Sequence, residues 1–417
     1  MPTIQSVKGL EILDSRGRPT VKAYLKLANN IAASASVPSG ASTGKSEAQE
    51  LRDGGMRYHG YGCKNAVRHI NETINLSISN QKFDNQLVLD HALIDLDGTS
   101  NKSMLGANSI LAVSLAYSRA MSELQQVPLY HYFASLLKQP IQYMPRPTIN
   151  LFSGGKHAGG QIPIQDLLIV PMQSTTSEVL ECAYAVYQAA VKLCQQQYQM
   201  RALTADEGGL APPFSCINEM FEIAMRSIES SGYRPGLDVT LAVDVASSHF
   251  YQDDQYYVTE DGLSGEHMIR LLADWVAKYP IVSLEDGLAE EDWKHWTMLQ
   301  QAIGTECLVL GDDLLCTNPD RIKKAIDQNS ANALLLKVNQ IGTVSEALEA
   351  MKIAREASWQ VTISARSGET EDDWLADLAV GWQADYIKIG SITQSERLSK
   401  YNRLLEIEQE LNLRIKN

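Results

Sequence analysis

The sequence has no CxxC pair, and its six cysteines, Cys63, Cys182, Cys194, Cys216, Cys307 and Cys316, show no Cys/His spacing of a zinc site. A disulfide-stapled fold is disfavoured, and a reduced cytoplasmic chain is expected. Nowhere do about 18 apolar residues run together, so no membrane-spanning helix is expected. The opening stretch carries Lys8, Glu11, Asp14 and Arg16 and lacks the apolar core of a signal peptide. Positive charge is also short: 36 Lys and Arg stand against 50 Asp and Glu, a formal charge of -14. That balance repels nucleic acid and anionic membranes, so neither is an expected partner. There is no Walker A loop and no GxGxxG after a strand, which removes an ordinary nucleotide site. An acidic protein that handles a small anionic substrate needs a local positive site, built from buried Lys and Arg or from bound metal.

What is present is globular. The 417 residues are 44% hydrophobic and 21% charged, and that length predicts two domains or a large α/β domain with a smaller companion. Residues 4–37 read as strand, turn (DSRGRP), strand, strand, followed by the loop PSGASTGKS and helical patterns over 62–78, 86–95 and 108–124. An α+β N-terminal domain over 1–130 is expected. After Pro128, short apolar runs alternate with amphipathic stretches, for example 266–279, 319–328, 343–357 and 372–380. Such alternation predicts parallel strands covered by helices, and the length of 131–417 suits a (β/α)8 barrel.

Several of those runs end on charge: TLAVD at Asp244, PIVSLE at Glu285, CLVLGD at Asp312, ALLLK at Lys337, VTISAR at Arg366 and DYIK at Lys388. In a barrel the C-terminal strand ends share one mouth, so these residues are expected to converge. Asp244, Glu285 and Asp312 form an all-oxygen set suited to a hard cation such as Mg2+, although each could instead cap the helix after its strand. Lys337 and Lys388 end hydrophobic runs, where a lysine is either used or ion-paired. A neighbouring metal would depress such a lysine from ~10.4 toward the 7 to 8 useful in a general base. The Gly-rich loops add Ser42 and Thr43 as oxygen donors, His157 as a phosphate or acid/base group and Glu207 as a carboxyl acid. A lysine base, a carboxylic acid and a metal-binding carboxylate set suit abstraction of a proton α to a carboxylate, a pattern already described for the enolase superfamily.

The motifs PSGASTG with EAQELRDGG, ADEGGLAPP, YPIVSLEDGLAEEDW, GDDLLCTN, LLLKVNQIGT and SGETEDDWLADLAVG resemble the enolase family in order along nearly the whole chain. The resemblance implies a small α+β domain carrying the Ser42 lid loop and an eight-stranded barrel. It implies Mg2+-dependent conversion of 2-phospho-D-glycerate to phosphoenolpyruvate in glycolysis, by a homodimer or a ring of dimers. Asp244, Glu285 and Asp312 match ligands of a first Mg2+, and Ser42 helps bind a second that arrives with substrate. Lys337 matches the base and Glu207 the acid. Arg366 and Ser367 match phosphate contacts, Lys388 a carboxylate contact, and Gln165, His157 and Asp166 further site residues.

The chain departs from the family pattern at two positions near the site. Asp166 stands where the family has Glu, which withdraws the carboxylate by roughly 1.5 Å, and Ala365 stands where the family has His. Gly159 and Gly160 replace a less flexible sequence. A misplacement of about 1 Å can cost ~10²-fold in rate. The alternatives are therefore an enolase-like dehydratase of a related phosphorylated or phosphonate hydroxy acid, and a weakly catalytic binding protein.

Overall fold

The computed structural model describes every residue except Met1, Ser42, Met200, Glu260 and Asn417. The N-terminal alternation produces an antiparallel meander of β1 (Ile4–Leu13), β2 (Pro19–Leu27) and β3 (Ala32–Ser36). Its buried face, including Val7, Val21, Ala23 and Leu25, packs in the core with the helix Ala107–Gln125. That helix is buried on nearly every side because Ala and Ser alternate with its larger apolar residues. The helical pattern over 62–78 is one run interrupted by a π turn, Lys64–His69, Ile70–Ile74 and Asn75–Ile78.

The remainder closes into a barrel. Its strands are β4 (Arg146–Ser153), β5 (Asp166–Pro171), β6 (Val239–Asp244), β9 (Ile281–Glu285), β10 (Leu308–Gly311), β11 (Ala333–Leu336), β12 (Gln360–Ser364) and β13 (Tyr386–Gly390), adjacent in that order with β13 returning to β4. A small hairpin, β7 (Tyr251–Gln252) and β8 (Gln255–Tyr256), lengthens the first unit after β6. Strands β4, β5, β6 and β11 are buried at every position, as expected for strands with a filled interior on one side and helices on the other.

The all-parallel expectation needs one correction. Strand β5 runs antiparallel to both β4 and β6. The chain turns back through the loop 154–165, tied by hydrogen bonds from Gly154 N to Gln165 O and from Gly155 N to Ile162 O (both 2.8 Å), with no crossover helix. Antiparallel neighbours accept such a connection and parallel ones do not. Gly154 is required there, since a Cβ would lie 2.5 Å from the Ile164 carbonyl oxygen. Because β5 is reversed, its first residue, Asp166, lies beside the last residue of β6, Asp244.

The strand-end pattern also needs one refinement. Asp244 and Glu285 close their strands, while Asp312 and Lys337 follow theirs by one residue. Lys388 instead lies at the centre of β13, which continues through Ile389 to Gly390. The expected domain boundary after residue 130 falls inside the helix Leu129–Leu137, which contacts both Ala107–Gln125 and the barrel helix Trp374–Gly381. All six cysteines are free, and among the described residues no helix is long and apolar enough to cross a membrane.

Candidate active site

A narrow cleft opens at the barrel mouth. Strand ends contribute Asp244, Asp312 and Lys337 to its lining, the middle of β13 contributes Lys388, and loops contribute His157, Gln165, Glu207, Arg366 and Ser367. Ala365 lines it with a methyl group, and Ala41 represents the loop 38–47. Ser42, expected as a metal and substrate contact, lies outside the described residues. A larger groove lies between the N-terminal sheet and residues 369–373. It has its own carboxylates, among them Glu369, Asp372 and Asp373, with Lys22 and Arg119 as cations, but none of Asp244, Asp312, Lys337 and Lys388, which line the smaller cleft.

Lys388 bridges two of the expected metal ligands. Its Nζ donates to Asp244 Oδ2 at 2.8 Å and to Glu285 Oε2 at 2.7 Å, and Gln165 Nε2 donates to the same Asp244 oxygen at 3.0 Å. One ammonium thus serves two buried carboxylates. Burial opposes charge on both, but for Asp244 the attraction of Lys388 prevails and lowers its pKa to about 2. Glu285 is pushed well above the usual carboxylate range, by burial and by the nearby Asp244 charge.

Lys337 Nζ donates to Asp312 Oδ2 at 2.5 Å, and Gln340 Nε2 holds the other oxygen at 2.8 Å. Burial works against the Lys337 charge, yet Asp312 outweighs it and the pKa is raised. With the protein's own groups alone, Lys337 is a cation clamped to its neighbour; the depression expected of it belongs to the site with metal bound.

On the opposite side, Asp166 is fully buried with both oxygens engaged. Ser153 Oγ donates to Oδ1 at 2.6 Å, and His157 Nδ1 lies 2.9 Å from Oδ2. Burial disfavours the imidazolium, but Asp166 overcomes this and raises His157 to about 9. Glu207, held by Asn150 Nδ2 at 3.1 Å, is lowered despite burial because His157, Arg397, Lys388 and Lys337 surround it with positive charge. Gly159 and Gly160, further along the His157 loop, both take positive φ, 81° and 80°.

Arg366 donates to Glu47, Nη1 to Oε2 at 3.0 Å and Nη2 to Oε1 at 3.2 Å. Ser367 is reached from the N-terminal turn, where Arg16 Nη1 donates to its Oγ at 3.1 Å. Arg16 and Glu47 were not singled out by the sequence reading, since their partners are 351 and 319 residues away in the chain. Asp286 was also missed. Its carboxylate accepts the backbone N–H groups of Asp312 and Asp313 at 2.9 and 2.8 Å and so holds the end of β10. The doublets Glu285-Asp286 and Asp312-Asp313 were the available signal.

The acidic groups are compatible with a divalent cation: among the described residues, Asp286, Asp312 and Asp313 bring ligand oxygens within 4.8 Å of one another, a group that shares only Asp312 with the expected set Asp244, Glu285 and Asp312, while Glu285 Oε1 is buried without a hydrogen-bond partner among the described residues. Burial and the adjacent Asp312 push Asp313 up to about 8, as expected where carboxylates outnumber local cations. Hard oxygen donors with surplus negative charge are what Mg2+ takes.

Comparison with protein families agrees with this geometry along nearly the full chain. Residues 4–133 match the family model described as the enolase N-terminal domain, and residues 141–416 match the enolase C-terminal TIM barrel domain.

Proposed function

Because the chain belongs to the enolase family, we propose that it is a Mg2+-dependent hydro-lyase converting 2-phospho-D-glycerate to phosphoenolpyruvate. The observation that carries this reading is the meeting of Lys337 and Glu207 in one cleft with Arg366 and Lys388, cations that an acidic protein gathers at one barrel mouth. The glycolytic role, the cytoplasmic setting and assembly as a homodimer or ring of dimers follow from the family resemblance.

Asp244, Glu285 and Asp312 would hold the first Mg2+, and Ser42 would help hold a second that comes with substrate. When bound, the divalent cation supplies positive charge to these carboxylates and to the substrate carboxylate, which relieves Lys337 and Lys388 of neutralising Asp312, Asp244 and Glu285. Arg366 and Ser367 take the phosphate, and Lys388 faces the carboxylate. Neutral Lys337 accepts the C2 proton through Nζ. Glu207 protonates the C3 hydroxyl, which leaves as water while the C2–C3 double bond forms. A phosphorylated substrate offsets the cations that hold Glu207 ionised, so its arrival drives Glu207 upward toward the protonated form this step requires. Asp166, with both oxygens spoken for, acts through His157 and keeps the imidazole oriented and charged.

Formation of phosphoenolpyruvate from 2-phosphoglycerate, followed by ultraviolet absorbance with and without Mg2+, tests the proposal. A Mg2+-dependent turnover of ~10 s⁻¹ or more, within the ordinary enzyme range, is expected. A rate thousands of times lower with Mg2+ still bound would favour the second reading, a dehydratase of a related phosphorylated or phosphonate hydroxy acid. The methyl group of Ala365 at the cleft wall is the observation behind that second reading.

The double variant Asp166→Glu, Ala365→His separates the two readings further. If the site is an enolase site with weakened contacts, the double variant raises kcat/KM on 2-phosphoglycerate, by about 10²-fold if each contact regains a modest acid/base or positioning contribution. No gain would mean that the cleft is built around other contacts.

A further inference from the structure

On either side of Ser42, the described residues of 38–47 are seated against the barrel mouth. At the base of this loop, Ser39 and Gly368 exchange two backbone hydrogen bonds of 2.8 and 2.9 Å. At its crown, Gly44 presses so closely on the segment after β10 that a Cβ would fall 2.6 Å from Cys316 Sγ. Beyond the crown, Lys45 N donates to Glu290 Oε2 at 2.9 Å and Arg321 Nη1 donates to Ser46 Oγ at 3.0 Å. The loop ends at Glu47, whose Oε1 accepts from Gly44 N at 3.0 Å, so this carboxylate is tied to the crown.

Glu47 points inward. Both oxygens accept from the two terminal nitrogens of Arg366, and the two side chains are only 5% and 4% exposed. Asn339 Oδ1 takes a further hydrogen bond from Arg366 Nη1 at 3.2 Å. Gln340 Nε2 links the same carboxylate, at 3.4 Å, to Asp312 Oδ1, at 2.8 Å. A guanidinium is a planar fork on a flexible stem, and gripping its two tips fixes both its direction and its plane. An arm fixed before the ligand arrives does not pay the ordering cost on binding.

We propose that Glu47 is a positioning residue for anion binding: its carboxylate grips both terminal nitrogens of Arg366 and so fixes the guanidinium that meets an anion in the cleft. This rests on the reading of Arg366 as a phosphate contact. Glu47 itself touches no substrate in this scheme. Its loss is felt where the phosphate is held, and the proton transfers at Lys337 and Glu207 are left intact.

The test is Glu47→Gln in the full chain, which keeps the shape and removes the charge. Inorganic phosphate is the probe, measured by calorimetry in the presence of Mg2+ and as a competitive inhibitor of turnover. The phosphate dissociation constant and the KM for 2-phosphoglycerate are expected to rise together by about 10- to 100-fold, the usual cost of removing a partner behind a ligand-binding group, with kcat retained. Glu47→Asp, which keeps the charge but shortens its reach, should show the same split at smaller size, and it carries the test if the glutamine variant does not fold. Phosphate affinity and KM unchanged in a folded variant would overturn the proposal. Arg366→Lys distinguishes the underlying reading: if phosphate binds that variant as tightly as the parent chain, the assignment of Arg366 is wrong, whatever Glu47 does.

Discussion

Replacement of Lys337 by alanine is expected to lower kcat for phosphoenolpyruvate formation by about 10⁴-fold, the upper end of what a positioned acid or base contributes. Lys337 Nζ is the amine on the Asp312 side of the cleft, and Glu207 lies in the same cleft as the proposed proton donor. Lys388 does not take over, because in the proposed scheme it faces the substrate carboxylate. The fold should survive. Asp312 keeps its hydrogen bond from Gln340, which is itself held by Thr317 Oγ1 at 2.7 Å, and β11 retains its pairing with β10 and β12. Turnover that persists in Lys337→Ala, with an unchanged circular dichroism spectrum, would remove Lys337 from the role of base.

Lys388→Met is expected to act on stability before it acts on chemistry. The substitution leaves two carboxylates buried side by side without the ammonium that both now share. Breaking a buried pair in this way typically costs about 3 to 5 kcal/mol. The pH dependence gives the signature. Asp244 is held at about 2 in the folded chain, largely by Lys388 acting against burial, whereas an unfolded Asp titrates near ~3.9. A lowered carboxylate contributes stability that is complete above its unfolded value and is lost as pH falls through its folded value. Urea unfolding should therefore show the full gap between parent and variant at neutral pH. The gap should close from about pH 4 toward pH 2. A gap that is absent at pH 7, or that persists unchanged at pH 2, would contradict the shared-ammonium account.

Individual residues show why the sequence was legible in some respects and silent in others. Asp244, Glu285, Asp312 and Lys337 each stood at or just past the end of an apolar run, and a barrel turns that position into a common address. Lys388 was read in the same way although its strand continues, because a single lysine inside a short apolar run looks like an end. Asp166 shows the opposite difficulty. Sequence reading could see that it is one methylene shorter than glutamate, but its fully engaged carboxylate depends on Ser153 and His157, which only the reversed β5 brings alongside. Glu47 lay inside the quoted motif EAQELRDGG, and nothing in that string names a partner 319 residues away.

The sequence by itself determined the alternation of short apolar strands with amphipathic helices, the acidic balance that requires a local positive site, and the types of side chain placed at the strand ends. These are local properties, written in periodicity and composition. The tertiary structure decided the direction of β5, the pairing of Lys388 with two carboxylates, the contact of Lys337 with Asp312, and the grip of Glu47 on Arg366. Each of these depends on which opposite charge or hydrogen-bond partner is nearest in a buried, weakly screened space. That neighbour is chosen by the closure of the barrel and the seating of a loop against it, at sequence separations over which local pattern carries no information.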